Sequence, residues 1–353
     1  MKLNTSSISR RHFLGTTATM VTGVLSAPPL LGFPAILKNY NKPNSLINGV
    51  QIGVITYSFR SLPDQSAEAT LQYVKDCGIN AIELMGDSAE IFAGKPEADI
   101  DRSTLFQLGR MKRNGETLTE EQSRQLEDLS AQMEANNKKV AAWRSSVSMD
   151  KFSQLKKMYK DAGVTIYAFK PGAFGKNNSD AEIEYGLKGA KTLGASHVTL
   201  EHPSDDEHTR RLGKFADKHK VYVAYHGHEQ QTPTFWDVAL EQSKYNALNF
   251  DLGHYVAAGN PDPLELIKDK HSRILSMHTK DRQTPANGKG NLPFGQGDTP
   301  IVEVLQLIRD QKYKFPATIE LEYEIPQGSD AVKEVQKCLE YCRKALEGKA
   351  GKT

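Results

Sequence analysis

The sequence predicts an α/β fold: a single (β/α)8 barrel of the TIM type with an insertion after its second strand. Three observations carry this expectation. Eight short β-rich runs alternate with amphipathic helical stretches from residue 51 onward. Several helical stretches end in glycine just before the next strand (Gly78, Gly163, Gly194), as helix C-caps favour. No glycine-rich phosphate fingerprint accompanies the repeats, which separates them from a doubly wound nucleotide-binding sheet.

Ahead of the repeats, Ser9-Arg10-Arg11-His12-Phe13-Leu14 forms a twin-arginine pattern and runs into the uncharged stretch Phe13–Ala27. That stretch is too short and too rich in Gly and Thr for a stable membrane span. Residues 1–27 therefore read as a twin-arginine signal peptide and 28–48, rich in Pro and Asn, as a linker, leaving 49–348 for the barrel. Export by that route implies a periplasmic protein. Cys77, Cys338 and Cys342 make an odd count, and the last two stand one helical turn apart, where a disulfide is awkward. Buried or unpaired thiols are expected.

The strand runs are 51–59, 81–86, 164–169, 197–203, 221–226, 248–254, 274–281 and 315–323. Helical periodicity marks Ala67–Cys77, Ser153–Ala162, Asp180–Leu193, Thr209–His219 and Ile301–Asp310. Residues 87–147 interrupt the alternation. They are highly charged, helical over Thr119–Asn136, and follow the C-terminal end of a strand, the face on which such barrels keep their active sites. A helix plus a substrate-side lid is expected there. A net charge of +2 without a basic stripe argues against a nucleic-acid partner. A homo-oligomer is compatible with the sequence, which does not specify one.

Chemistry concentrates at the strand ends. Residues two apart in a strand share a face, which aligns Thr199 with Glu201, His226 with His228, and Asn249 with Asp251. The same rule aligns Ser276, His278 and Lys280, and then Thr318, Glu320 and Glu322. Carboxylates gathered at one mouth repel one another without a cation. Asp251, His278 and Glu320 are accordingly expected to bind one divalent ion, and mixed carboxylate and imidazole ligation suits Mn2+, Co2+, Zn2+, Fe2+ or Ni2+. Such an ion holds sugar oxygens while a base removes the adjacent proton. His226, His228 or Glu322 is placed to be that base, and Lys280 to neutralise the oxyanion. Taken singly, Glu201 and Glu322 read alternatively as ion pairs at the barrel rim. His254 is expected to orient Asp251, whereas His202, His208, His219 and His271 read as surface residues. Tyr57 and Ser58 after the first strand, Glu83 in the second and Lys170 ending the third, together with His254 and Arg282, are placed on the substrate side. The loop 282–298, containing Pro-Phe-Gly-Gln-Gly-Asp at 293–298, is expected to close over the mouth on glycine hinges.

The phrases YHGHE, FDLGHYVAAG, HTKDR, FGQGD and IELEYE, in this order over residues 50–345, resemble the xylose isomerase-like superfamily of sugar isomerases and epimerases. The resemblance implies the same barrel, with one divalent ion held by Glu, Asp, His and Glu from strands five to eight. Carried over, the sixth-strand Asp is Asp251, the seventh-strand His is His278 and the eighth-strand Glu is Glu320. The fifth strand offers His226-Gly227-His228 instead of a glutamate. Glu201 from the fourth strand is then the expected fourth ligand, with the histidines as catalytic base or substitute ligand. The activity implied is metal-dependent isomerisation or epimerisation of a free sugar or keto-sugar through an enediolate or enolate. A lyase or dehydratase acting on a 3-keto-glycoside by β-elimination is the alternative, and a non-catalytic sugar-binding barrel the third. The partner implied in each case is a small sugar or glycoside.

Overall fold

The computed structural model describes residues 42–348. The twin-arginine pattern and the linker up to residue 41 lie outside the described residues. Eight parallel strands form the barrel: β1 (Val50–Ile55), β2 (Ala81–Met85), β3 (Thr165–Lys170), β4 (His197–Glu201), β5 (Tyr222–His226), β6 (Asn246–Asp251), β7 (Ile274–Thr279) and β8 (Ala317–Ile319). Each pairs with the next, and β8 pairs with β1 to close the ring. All eight expected strands are present. A short additional strand, Leu46–Ile47, folds back antiparallel on β1, and Ser45 is already buried. Residues 45–47, expected in the linker, are therefore already packed on the barrel. No described helix is long and apolar enough to cross a membrane.

The helices form because apolar side chains recur every three to four residues and their ends are capped. On the helix Asp150–Asp161, Phe152, Leu155 and Tyr159 line one buried stripe. Phe152 meets the rings of Phe169 and Tyr185 edge-on. Each such side chain contributes about 1.5–3 kcal/mol of hydrophobic stabilisation. The helix Asp180–Leu193 starts with a reciprocal Ser179–Glu182 capping box and stops at Gly194, whose φ of +86° suits glycine. Cys77, Cys338 and Cys342 are free and buried.

The barrel interior is unusually polar, and one glycine makes that possible. A Cβ on Gly53 would stand 2.7 Å from the Tyr167 Oη, so only glycine lets that ring cross from β3 to bond Thr318 Oγ1 on β8 at 2.7 Å. Above it, His197 Nε2 meets Ser276 Oγ at 3.0 Å, and Asn249 Nδ2 reaches the same hydroxyl at 2.7 Å. A polar column therefore runs along the barrel axis.

After the short helix Gly86–Phe92, the insertion contains two longer helices, Arg102–Arg113 and Glu120–Ser146. The second extends ten residues beyond the expected end at Asn136 and begins with a Thr119–Gln122 capping box. Its C-terminal part is clamped to the barrel. Arg144 lies 2.9 Å from Glu90 and 3.3 Å from Glu182, and donates to the Gly172 carbonyl at 2.9 Å. Tyr185 Oη also donates to Glu90.

Candidate active site

Strand register brings the functional side chains to the same end of the barrel in a two-residue stagger. Glu201 is paired with His226, His226 with Asn249, Asp251 with His278, and His278 with Thr318. Past β8 the chain stays extended because Ser58 Oγ, on the turn after β1, takes a hydrogen bond from the Leu321 amide at 3.0 Å. That contact holds Glu320 and Glu322 over the mouth.

His278 is the hub. Its Nδ1 lies 2.9 Å from Glu320 Oε2 and 3.8 Å from Asp251 Oδ2, and its Nε2 lies 2.9 Å from Glu83 Oε2. Burial alone would keep this ring neutral, but the Glu320 and Glu83 carboxylates outweigh it and lift its pKa to about 10. Burial likewise disfavours the charge on Glu320, yet Lys280 and His278 hold its pKa well below the usual carboxylate range. Glu83 was placed on the substrate side by its strand position. It is instead fully buried beneath His278, where it accepts from Thr199 Oγ1 at 2.6 Å and Asn249 Nδ2 at 3.1 Å.

Lys280 is the resident counter-cation. Its ammonium lies 2.6 Å from Glu320, 2.7 Å from Glu322 and 3.0 Å from Asp251 Oδ2, and these contacts raise its pKa against the effect of burial. The approach to Asp251 is off the line of a hydrogen bond, so that buried Oδ2 has no donor.

His226 is buried and held neutral, first by desolvation and then by the His278 charge. Its Nδ1 is 2.8 Å from Asn249 Oδ1. Because the Asn249 amide nitrogen faces Glu83, which only accepts, its oxygen faces His226 and the proton belongs on Nδ1. The Nε2 lone pair then points into the site, 3.7 Å from Asp251 Oδ2.

A divalent ion fits this donor set. His226, Asp251 and His278 each offer a ligand atom, all within 4.8 Å of one another, with Glu320 Oε2 beside His278 Nδ1. Glu83 behind His278 and Asn249 behind His226 are the outer partners that fix metal-binding imidazoles. Such an ion and the Lys280 ammonium would compete for the same oxygens. His226, His228 and His254 form a second group of that kind. It suits a cation less well: Arg282 Nη1 donates to His254 Nδ1 at 2.5 Å, which adds positive charge and puts the His254 proton on the nitrogen turned inward.

The other expected site residues lie around this centre. Neither Glu201 nor Glu320 is part of the ligand groups; Glu320 adjoins one of them through His278, whereas the half-exposed Glu201 carboxylate sits 2.9 Å from Lys170 and 3.7 Å from His228 Nε2. His228 is half exposed at the rim, edge-on to the His226 and His254 rings. The Asp251 carboxylate caps the short helix Leu252–Ala257 by accepting from the His254 amide at 2.7 Å. Tyr57 stands at the rim under the Arg60 guanidinium. Arg282 turns away from the mouth to Glu229 and the Lys289 carbonyl. The loop expected to hinge is tied down: Asp281 accepts from the amides of Gly295, Gly297 and Thr299 at 2.7, 2.9 and 3.2 Å. Sequence reading missed Asp281, because its partners are backbone amides that leave no residue signature. His208, expected on the surface, is buried with its Nε2 2.8 Å from the Phe174 carbonyl. It is drawn inward because that carbonyl needs a partner. His197 was also missed, although it shares a face with Thr199 and Glu201 and so was within reach of the same spacing rule.

No curated protein sequence matches this chain. The family model of the xylose isomerase-like TIM barrel matches residues 130–344, more than half of the chain. Among solved structures, an L-ribulose 3-epimerase superposes with a TM-score of 0.54 at 13% identity, covering 85% of this chain and 95% of that one. A 3-keto-D-glucoside 4-epimerase from E. coli gives 0.54 at 11% identity, covering 83% and 99%. A sugar phosphate isomerase/epimerase from Parabacteroides distasonis gives 0.52 at 16%, covering 83% and 93%. At these identities the superpositions establish the fold. With the barrel and the matched segment in agreement, the chain belongs to the xylose isomerase-like TIM barrel family.

Proposed function

We propose that this protein is a divalent-metal-dependent isomerase or epimerase that acts on a sugar or keto-sugar through an enediolate or enolate. The observation that carries the proposal is the convergence of His226, Asp251 and His278, three buried ligand groups from three consecutive strands with ligand atoms within 4.8 Å of one another, with Glu320 Oε2 2.9 Å from His278 Nδ1. His226 from β5 takes the fourth ligand position in this reading. Glu201, bonded to Lys170 and partly open to solvent, serves instead as an acid–base group. When bound, the ion would polarise the carbonyl and hold the neighbouring hydroxyl.

The remaining chemistry belongs to the chain. Lys280, displaced from Asp251 and Glu320 but still beside Glu322, is a donor for the oxyanion that forms as the C–H proton leaves. Acid–base groups occupy two edges of the mouth: Glu322 after β8, and the Glu201–His228 pair above β4 and β5. One edge accepts the proton α to the carbonyl and the other returns a proton to the opposite face, which inverts that carbon. The polar column below excludes bulk water and fixes the imidazoles. The twin-arginine pattern at residues 9–14 supports placing this activity in the periplasm.

The test is proton exchange. With Mn2+ and a panel of ketoses and keto-sugars in D2O, NMR is expected to show loss of one C–H signal at a rate abolished by EDTA and by Asp251→Asn. Turnover that survives both changes, or no exchange with any member of the panel, overturns the proposal.

A further inference from the structure

A cavity of about 1070 Å³ adjoins the catalytic cluster without including it. Lys170, Thr199 and Glu201 form its barrel wall, and Asn137, Val140 and Arg144 of the helix Glu120–Ser146 form the opposite one. Asp251, His278 and Glu320 are not part of its lining. The link to the cluster runs through side chains of the shared wall: Glu201 lies 3.7 Å from His228 Nε2, and Thr199 Oγ1 bonds Glu83, which in turn holds His278. The volume stands at the top of the range of about 300–1,000 Å³ usual for ligand pockets. A single sugar ring held at the cluster therefore leaves this space unfilled.

Two features of the lining define what fits. Its charges are matched in pairs: Lys170 with Glu201, Lys176 with Asp205, Lys95 and Arg144 with Glu90. Arg102 and Glu97, which also line it, are of opposite sign. No cationic cradle for a phosphate or carboxylate results. The lining also holds two buried acceptors without a partner, Asn136 Oδ1 and His202 Nε2. The side chain of Asn136 belongs to a residue only 6% exposed. His202 Nδ1 lies 2.6 Å from the Pro203 carbonyl, which can only accept, so the proton is on Nδ1 and Nε2 is a bare acceptor. Desolvation keeps that ring neutral. Both atoms are closed off from solvent, so a ligand hydroxyl reaches either one only when its side chain turns toward the cavity.

We propose that this cavity is a subsite for an uncharged, hydroxyl-bearing group attached to the reacting sugar, so that the substrate is a glycoside or disaccharide. The inference rests on the reading of the cluster as a sugar site, and names its substrate class. The insertion supplies one wall and thereby sets this preference.

Isothermal titration of the full-length protein with glucose, glucose 6-phosphate, cellobiose, maltose and trehalose tests it, in EDTA and again with Mn2+. At least one disaccharide is expected to bind at least tenfold more tightly than glucose. Val140→Trp, which fills the cavity from the insertion side, is expected to erase that advantage while leaving glucose affinity within twofold. Asn137→Trp, at an exposed position on the same wall, is the second variant should Val140→Trp fold poorly. Disaccharides that bind no better than glucose, tightest binding by glucose 6-phosphate, or variants that weaken glucose and disaccharides alike overturn the subsite. Exchange of monosaccharide protons in D2O without a disaccharide preference would leave the catalytic reading standing and remove only the subsite. Tight disaccharide binding without exchange would do the reverse.

Discussion

Lys280→Met isolates the balance of charge at the centre of the barrel. The ammonium is buried and lies within 3.0 Å of carboxylate oxygens of Asp251, Glu320 and Glu322. Methionine keeps the length of the side chain and removes the charge. Asp251 and Glu320 are buried, and removing one partner of a buried ion pair costs about 3–5 kcal/mol. With an unfolding entropy of about 2.1 cal/mol/K per residue, a barrel of roughly 300 residues loses about 1.6 °C per kcal/mol, so the melting temperature in EDTA should fall by about 5–8 °C. Mn2+ should bind the two proteins with different strength. In the wild type it must displace the ammonium, whereas in the variant it meets free carboxylates. The variant should therefore bind Mn2+ more tightly and recover most of its lost stability once the ion is well above its dissociation constant. Differential scanning fluorimetry in EDTA and in graded Mn2+ reads both effects. An unchanged melting temperature in EDTA, or weaker Mn2+ binding by the variant, refutes the argument that lysine and metal share these oxygens.

Other consequences are equally open to measurement. Glu83→Gln keeps a side chain beneath His278 but removes its charge, and should weaken metal affinity by about 10- to 100-fold without touching a ligand; titration calorimetry decides, and an unchanged affinity would show that Glu83 is only packing. In the metal-free protein the folded His278 pKa of about 10 lies above the unfolded value near 6.5, so its contribution to stability is complete below pH ~6.5 and is lost as pH rises through about 10. Urea midpoints in EDTA should accordingly fall from pH 6.5 to 10 more steeply for the wild type than for His278→Gln, and parallel slopes would contradict the charge assignment. Metal uptake at pH 7.5 should release about one proton from that ring, seen as a dependence of the binding heat on the buffer. Arg144→Ala leaves the buried Glu90 with Lys95 as its cation beside the Tyr185 hydroxyl; a loss of about 3 kcal/mol and new proteolytic cuts within the helix Glu120–Ser146 are expected, and an intact protease pattern would refute the clamp.

Much of this architecture can be read directly along the chain. Strand period and glycine caps located all eight barrel strands, because parallel strands buried on both faces leave strong apolar runs. The same period-two rule aligned Asp251 with Asn249, His278 with Lys280, and Glu320 with Glu322, and the fold brings these side chains together. What spacing could not supply is depth. Glu83 sits in an ordinary strand sequence, AIELM, and nothing local says that its carboxylate ends beneath His278 on the far side of the ring. Lys280 was legible as an oxyanion partner but not as a substitute for the metal, since that depends on three strand ends meeting. The Glu90–Arg144–Glu182 clamp joins residues up to 92 positions apart, between 90 and 182, and leaves no pattern in any one segment.

That clamp bears on kinetics as well as on shape. Because Arg144 ties the long insertion helix to the rim through two carboxylates and a carbonyl, the outer wall is already built before a ligand arrives. A ligand entering such a preformed cleft has little backbone to order, so association should approach the rate of an unhindered encounter, and selectivity between ligands should be expressed in how long each one stays.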